Sequence, residues 1–137
     1  MSSKLKLRVV SQEAELLNAL VDSVTVPGSE GELTILPYHI PLFTKIKMGE
    51  LTFRSGEQQS SIVVSNGFLN VAADNEVVVL VDSAIHARDI SVQKAEQAMK
   101  EAHETMRMSQ DERELILAEA SLRRALLEIR IARKSAQ

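Results

Sequence analysis

The stretch VPGSEGELTILPYHIPLFTKIKMG, residues 26–49, decides how this chain is read. Short apolar runs are cut by glycine and proline in a distinctive order. Pro27-Gly28 and Gly31 supply the fixed and positive backbone angles of tight turns, while Pro37 and Pro41 bracket Tyr38-His39-Ile40 and disfavour helix there. The segment predicts strands joined by turns, with His39 oriented between two prolines.

The same texture extends on both sides. Leu5, Leu7 and Val9 alternate with Lys4, Lys6 and Arg8, and Ile62 and Val64 alternate with Ser61, Val63 and Ser65, which is the period of half-buried strands. Turn chemistry at Pro27-Gly28, Ser55-Gly56, Asn66-Gly67 and Asp74-Asn75 spaces these strands as in a β-sandwich or flattened barrel. The run Val77-Val78-Val79-Leu80-Val81 is apolar on both faces and predicts a central strand buried on both sides.

After Asp82 the period changes. Val92, Ala95, Met99, Ala102 and Met106 step by three and four, and Leu115, Ala118, Leu122, Ala125, Ile129 and Ala132 repeat the pattern, so an antiparallel helical hairpin is expected. Ser109 with Glu112 reads as a capping box at the start of the second helix. Asp111 and Glu112 at its beginning and Arg133 and Lys134 at its end complement the helix dipole. The Ala-rich seam is narrow, and helices without tertiary packing are marginal in water, so this half is suited to opening and repacking.

Composition removes several functions. With 137 residues and no cysteine, the chain has room for one compact domain plus an appendage, and it lacks a disulfide frame, a thiol nucleophile and a Cys-based metal site. No apolar run reaches transmembrane length, and the N-terminus resembles neither a secretory signal nor an Arg-rich transit peptide, which predicts a soluble, bacterial cytoplasmic protein. A net charge of −3 disfavours a general nucleic-acid binder. The segment from Gly28 to Glu32 lacks the Gly-Lys-Ser/Thr of a P-loop and puts two carboxylates where phosphate would sit. His39, His86 and His103 have no metal-ligand spacing, and no serine lies in a Gly-x-Ser-x-Gly elbow. No catalytic residue, metal or cofactor is expected.

Charge is unevenly placed: from Ala120 onward Arg123, Arg124, Arg130, Arg133 and Lys134 face a single acid, Glu128. This strip reads as a solvated helix face, a contact with anionic lipid, or a dock for an acidic protein surface. The helix lacks the bulky apolar belt that would favour lipid.

The order Pro-Gly-x-x-Gly-Glu-Leu-x-Ile-Leu-Pro-x-His-x-Pro-Leu, followed by VSNGFLNVAADNEVVVLVDSA and SLRRALLEIRIARK, resembles the epsilon subunit of the F-type ATP synthase over nearly the whole chain. The resemblance implies an α+β, mainly β fold: a ten-stranded β-sandwich over residues 1–86, then an antiparallel two-helix hairpin over residues 87–137. It also implies a non-catalytic rotor subunit that couples proton-driven rotation to ATP synthesis and restrains ATP hydrolysis through its hairpin. Such a subunit sits peripherally on the cytoplasmic face of the bacterial plasma membrane, with membrane contact only through the complex.

By position, Glu30, Gly31 and Glu32 would meet the ring of c subunits, and Tyr38, His39 and Pro41 the gamma subunit. Arg123, Arg124, Arg130 and Arg133 would face the beta subunit in the catalytic head of alpha and beta chains. Relatives that bind regulatory ATP carry Asp and Arg where this chain has Ser91 and Lys94, so nucleotide binding is expected to be weak or absent. The family's usual glycines are replaced by Thr34 and Tyr38. The alternative is a stand-alone adaptor or regulatory binding module with the same architecture.

Overall fold

The computed structural model describes residues 3–136. The chain divides into two compact units, one ending at His86 and the next beginning at Ala87.

The first unit contains ten strands among the described residues: β1 Leu5–Val10, β2 Glu15–Val21, β3 Ser23–Gly28, β4 Gly31–Ile35, β5 Leu42–Ile46, β6 Gly49–Ser55, β7 Gln58–Val64, β8 Gly67–Val71, β9 Glu76–Val81 and β10 Ala84–His86. Their order is β10-β7-β6-β3-β5-β8-β9-β1-β2, with β4 paired on β3. All pairs are antiparallel except β1 with β9. Alternating side chains converge on an aliphatic core that includes Leu5, Leu7, Val24, Val26, Leu51, Ile62, Leu69 and Val79, all without solvent exposure. This is the expected ten-stranded sandwich.

Two turn assignments need correction. Pro27-Gly28 belongs to β3, and the two-residue turn is Ser29-Glu30, since Gly28 pairs with Gly31. A Cβ on Gly28 would meet the Gly31 carbonyl at 2.6 Å, so the close approach of the two strands, and not a positive φ, demands glycine there. Pro27 fits inside a strand because β3 changes neighbours at this point, from β6 at Thr25 to β5 at Gly28, leaving no ladder bond for its missing N–H. Its carbonyl still accepts from the Lys47 amide at 2.9 Å.

Asn66-Gly67 is a crossover and not a hairpin, because β7 pairs with β6 and β10 while β8 pairs with β5 and β9. A Cβ on Gly67 would fall 1.9 Å from the Leu80 carbonyl, so this glycine permits contact with β9. The other two turns form as expected, with Gly56 and Asn75 at φ of 64°.

The run in β9 is central in its sheet but not buried on both faces. Val77, Val79 and Val81 enter the core, whereas Leu80 is 49% exposed. An apolar run cannot reveal which of its faces has a covering layer.

The second unit opens with a 3-10 turn, Ala87–Asp89, then α1 Val92–Met108 and α2 Glu112–Ser135. Ser91 caps α1, its Oγ accepting from the Lys94 amide at 3.2 Å. The capping box at Ser109 is replaced by Asp111, whose carboxylate accepts from the Arg113 amide at 2.9 Å. Starting α2 at Glu112 puts Glu112 and Glu114 both in its first turn, where the dipole favours them. Ser109 instead ends α1 and bridges the joint, accepting from the Asp111 amide at 3.1 Å and donating to Glu114 at 2.5 Å.

The seam is as narrow as its alanines predict. Ala95, Ala125 and Ile129 form its buried cluster, flanked by half-buried Val92, Ala98 and Met99. Ile131, off that seam, is buried as well.

Candidate functional site: three exposed surfaces

The acidic surface is the β3–β4 hairpin tip. Glu30 lies in the turn and Glu32 in β4 opposite Pro27, both exposed, with Gly31 between them at φ 136°. The Ser29 amide donates to the Lys45 carbonyl at 3.0 Å, which ties the tip to β5. Among the described residues no group of three or more His, Cys, Asp or Glu is arranged to hold a metal ion.

The second surface begins at the loop after β4. The His39 amide donates to the Leu36 carbonyl at 3.1 Å, closing a turn with Pro37 and Tyr38 in the middle. Tyr38 has φ 68°, the angle a type II turn requires at that position and that glycine normally supplies. The His39 Nδ1–H donates to the Ile40 carbonyl at 2.7 Å, so this histidine is held by its own loop. Leu36, Tyr38 and Ile40 are 53%, 75% and 75% exposed. Pro41, also exposed, leads into β5.

This surface continues where the sequence reading assigned nothing. Phe43 on β5 stacks on Phe68 of β8, with ring centroids 5.5 Å apart and planes 18° from parallel. Phe68 is the cross-strand partner of Leu80. All three project from the face opposite the core and remain exposed. The available signal was an aromatic residue in the outward position of each alternating strand.

The third surface is the basic side of α2, and its four arginines are not equivalent. Arg124 is paired with Glu128 at 3.0 Å, and Arg133 reaches Glu96 of α1 at 3.8 Å. Among the described residues, Arg123 and Arg130 have no such partner and are exposed. Seven residues separate them, so they share one side of α2 about 10.5 Å apart along its axis. Lys94 is exposed in the first turn of α1. The Glu96–Arg133 pair spans an open groove lined by Gln93, Met99, Lys100 and Leu126.

One carboxylate elsewhere is perturbed. Asp22 accepts from Lys4 Nζ at 2.7 Å and from the Gly56 amide at 2.6 Å, and these bonds, Lys4 first, hold its pKa below the usual value. It fastens Lys4, just before β1, to the β6–β7 turn.

Residues 4–87 match the ATP synthase, Delta/Epsilon chain, beta-sandwich domain family. The ATP synthase epsilon chain of Dehalococcoides mccartyi is 44% identical over 133 residues, covering 96% of this chain and 94% of its own length. That of Syntrophobacter fumaroxidans is 36% identical over 135 residues, covering 98% and 100%. Among solved structures, a chain of the Euglena gracilis mitochondrial ATP synthase (OSCP/F1/c-ring) superposes with a TM-score of 0.76 at 25% identity, over 98% of this chain and 81% of that one. A chain of the Tetrahymena thermophila central stalk/c-ring shares the fold with a TM-score of 0.56 at 16% identity, over 99% and 98%. Both units, and not the sandwich alone, fall within these alignments, and the chain belongs to the epsilon-chain family of the ATP synthases, as a subunit of the rotor.

Proposed function

We propose that this chain is a non-catalytic subunit that holds the gamma subunit and the c ring together through its sandwich and restrains ATP hydrolysis through its hairpin. The observation that carries the reading is the presence of three chemically different exposed surfaces on a chain that aligns with epsilon chains over nearly all of its residues. The acidic tip, with Glu30, Gly31 and Glu32, suits a basic loop of the c ring. The apolar surface, with Tyr38, His39 and Pro41, suits gamma, and Phe43, Phe68 and Leu80 extend it. The basic side of α2 suits an acidic segment of the beta subunit beside alpha. Localisation follows from assembly: the chain sits peripherally at the cytoplasmic face of a bacterial membrane, and no described helix is long and apolar enough to cross one.

Regulatory ATP is not part of this proposal. Ser91 and Lys94 lack the carboxylate and planar guanidinium that would orient it, although Ser91 still caps the helix.

Docking is assigned to Arg123 and Arg130, because Arg124 and Arg133 are paired within the hairpin. Charge contacts that become desolvated on docking are stronger than exposed ones. Replacing Arg123 and Arg130 together by Ala is expected to raise ATP hydrolysis of the assembled enzyme several-fold at low salt and to leave synthesis intact. The difference should shrink as salt rises. Equal hydrolysis rates at low salt would reduce the strip to a solvated helix face.

A further inference from the structure

We propose that Asn75 is a positioning residue that locks the Leu36–Ile40 loop into a rigid, uncharged knob, and that the knob's partner is an apolar surface of the gamma subunit. The proposal rests on the reading of Tyr38, His39 and Pro41 as a gamma contact, and adds what holds that contact in shape.

Tyr38 occupies the left-handed region at φ 68°, which a bulky L side chain disfavours. Such a conformation persists only when its surroundings over-determine it. Two bonds do so here. The Asn75 side-chain carbonyl accepts from the Tyr38 amide at 2.6 Å, and the Tyr38 hydroxyl bonds the Ser3 hydroxyl at 2.5 Å. Asn75 is itself fixed: it occupies the β8–β9 turn at φ 64°, and its backbone carbonyl accepts from the Lys6 amide at 2.8 Å. The loop is thereby anchored to β1 and to the β8–β9 turn, far away in sequence.

What is held in place points to the partner's chemistry. From Leu33 to Thr44 the chain carries no Asp, Glu, Lys or Arg. Leu36, Tyr38 and Ile40 are each more than half exposed. Apolar side chains displayed on a backbone that is already ordered lose less entropy on binding than the same residues on a loose loop.

The chain offers a direct probe, because Tyr38 is its only tyrosine and it has no tryptophan. Its intrinsic fluorescence therefore reports this loop alone. Asn75→Gly keeps the positive φ of the turn but removes the acceptor; Asn75→Asp keeps an acceptor oxygen. In the isolated full chain, Asn75→Gly is expected to lower Tyr38 anisotropy and increase quenching, with thermal unfolding of the sandwich little changed. Its affinity for an enzyme depleted of this subunit should fall about three- to tenfold. Asn75→Asp should match the native chain in both measurements. Tyr38→Gly relieves the backbone cost, so it should fold at least as stably and still bind more weakly.

Unchanged anisotropy in Asn75→Gly would overturn the positioning role. Altered anisotropy with unchanged affinity would overturn the gamma contact on which the proposal rests.

Discussion

In the sandwich, Leu5, Leu7, Val9, Leu51, Ile62, Leu69, Val77 and Val79 are stripped of solvent and belong to one continuous cluster. In the hairpin, the seam cluster is Ala95, Ala125 and Ile129, with Met99 only partly covered. Each branched aliphatic side chain removed from water contributes about 1.5–3 kcal/mol, and an alanine methyl much less. The two units thus have similar regularity and unequal reserves. Under the proposed function, in which the sandwich grips gamma and the hairpin rearranges, this inequality would be required. On that reading the weak seam would let the hairpin rearrange while the sandwich stays folded.

The comparison can be broken most forcefully in the core. Leu69→Ala should cost the sandwich about 2–5 kcal/mol, because the surrounding strands cannot collapse into the space left behind. Chemical denaturation followed by circular dichroism measures this directly. A loss below 1 kcal/mol would mean that the sandwich is as plastic as the hairpin.

A smaller effect is expected at the joint. Asp111→Ala removes the N-cap of α2 and should destabilise the hairpin by about 1 kcal/mol. Faster amide exchange in α2, with exchange in β1 and β9 unchanged, is the expected signature. Equal acceleration in the strands would show that the units unfold together.

The smallest effect concerns acid. The pKa of Asp22 is lowered in the folded chain by Lys4 and then by the Gly56 amide. Its contribution is therefore complete above the unfolded carboxylate value of about 3.9 and is lost as pH falls through the lower folded value. Asp22→Asn should flatten that part of the stability-versus-pH curve of the sandwich and leave neutral-pH stability changed only slightly, since the pair is solvent-exposed. An unaltered acid limb would show that Asp22 is no more than a surface charge.

Much of this was legible in the residues. Alternation in β1 and β7 placed Leu5, Leu7, Val9, Ile62 and Val64 correctly, because a period of two leaves one face for the core, but Val63, expected on the outward face of β7, is buried as well, since alternation cannot show that the second face is covered too. The change to steps of three and four located both helices, and Ser91 as a cap was readable from its short hydroxyl side chain. The turns at Ser55-Gly56 and Asp74-Asn75 followed from local chemistry. Pro27 within a strand was not readable, because it depends on β3 exchanging one neighbour for another.

The candidate surfaces divide in the same way. Exposure of Glu30 and Glu32 was expected from composition and turn signals, whereas the outer patch of Phe43, Phe68 and Leu80 arises from strands brought together across the sheet. Glu128 lies four residues after Arg124, so that pair is a local property of the helix, but nothing in the sequence indicates that Arg133 meets Glu96 or that, among the described residues, Arg123 and Arg130 have no ion-pair partner.

By itself, then, the sequence determined the two-part architecture, the helical register and the family, since periodicity and turn chemistry are local properties of neighbouring residues. Tertiary structure alone decided which apolar residues remain outside, that Glu96 of α1 meets Arg133 of α2, and that Asn75 grips Tyr38 from 37 positions away. Those outcomes depend on distances between segments remote in the chain, and such distances exist only once the strands have paired and the helices have packed.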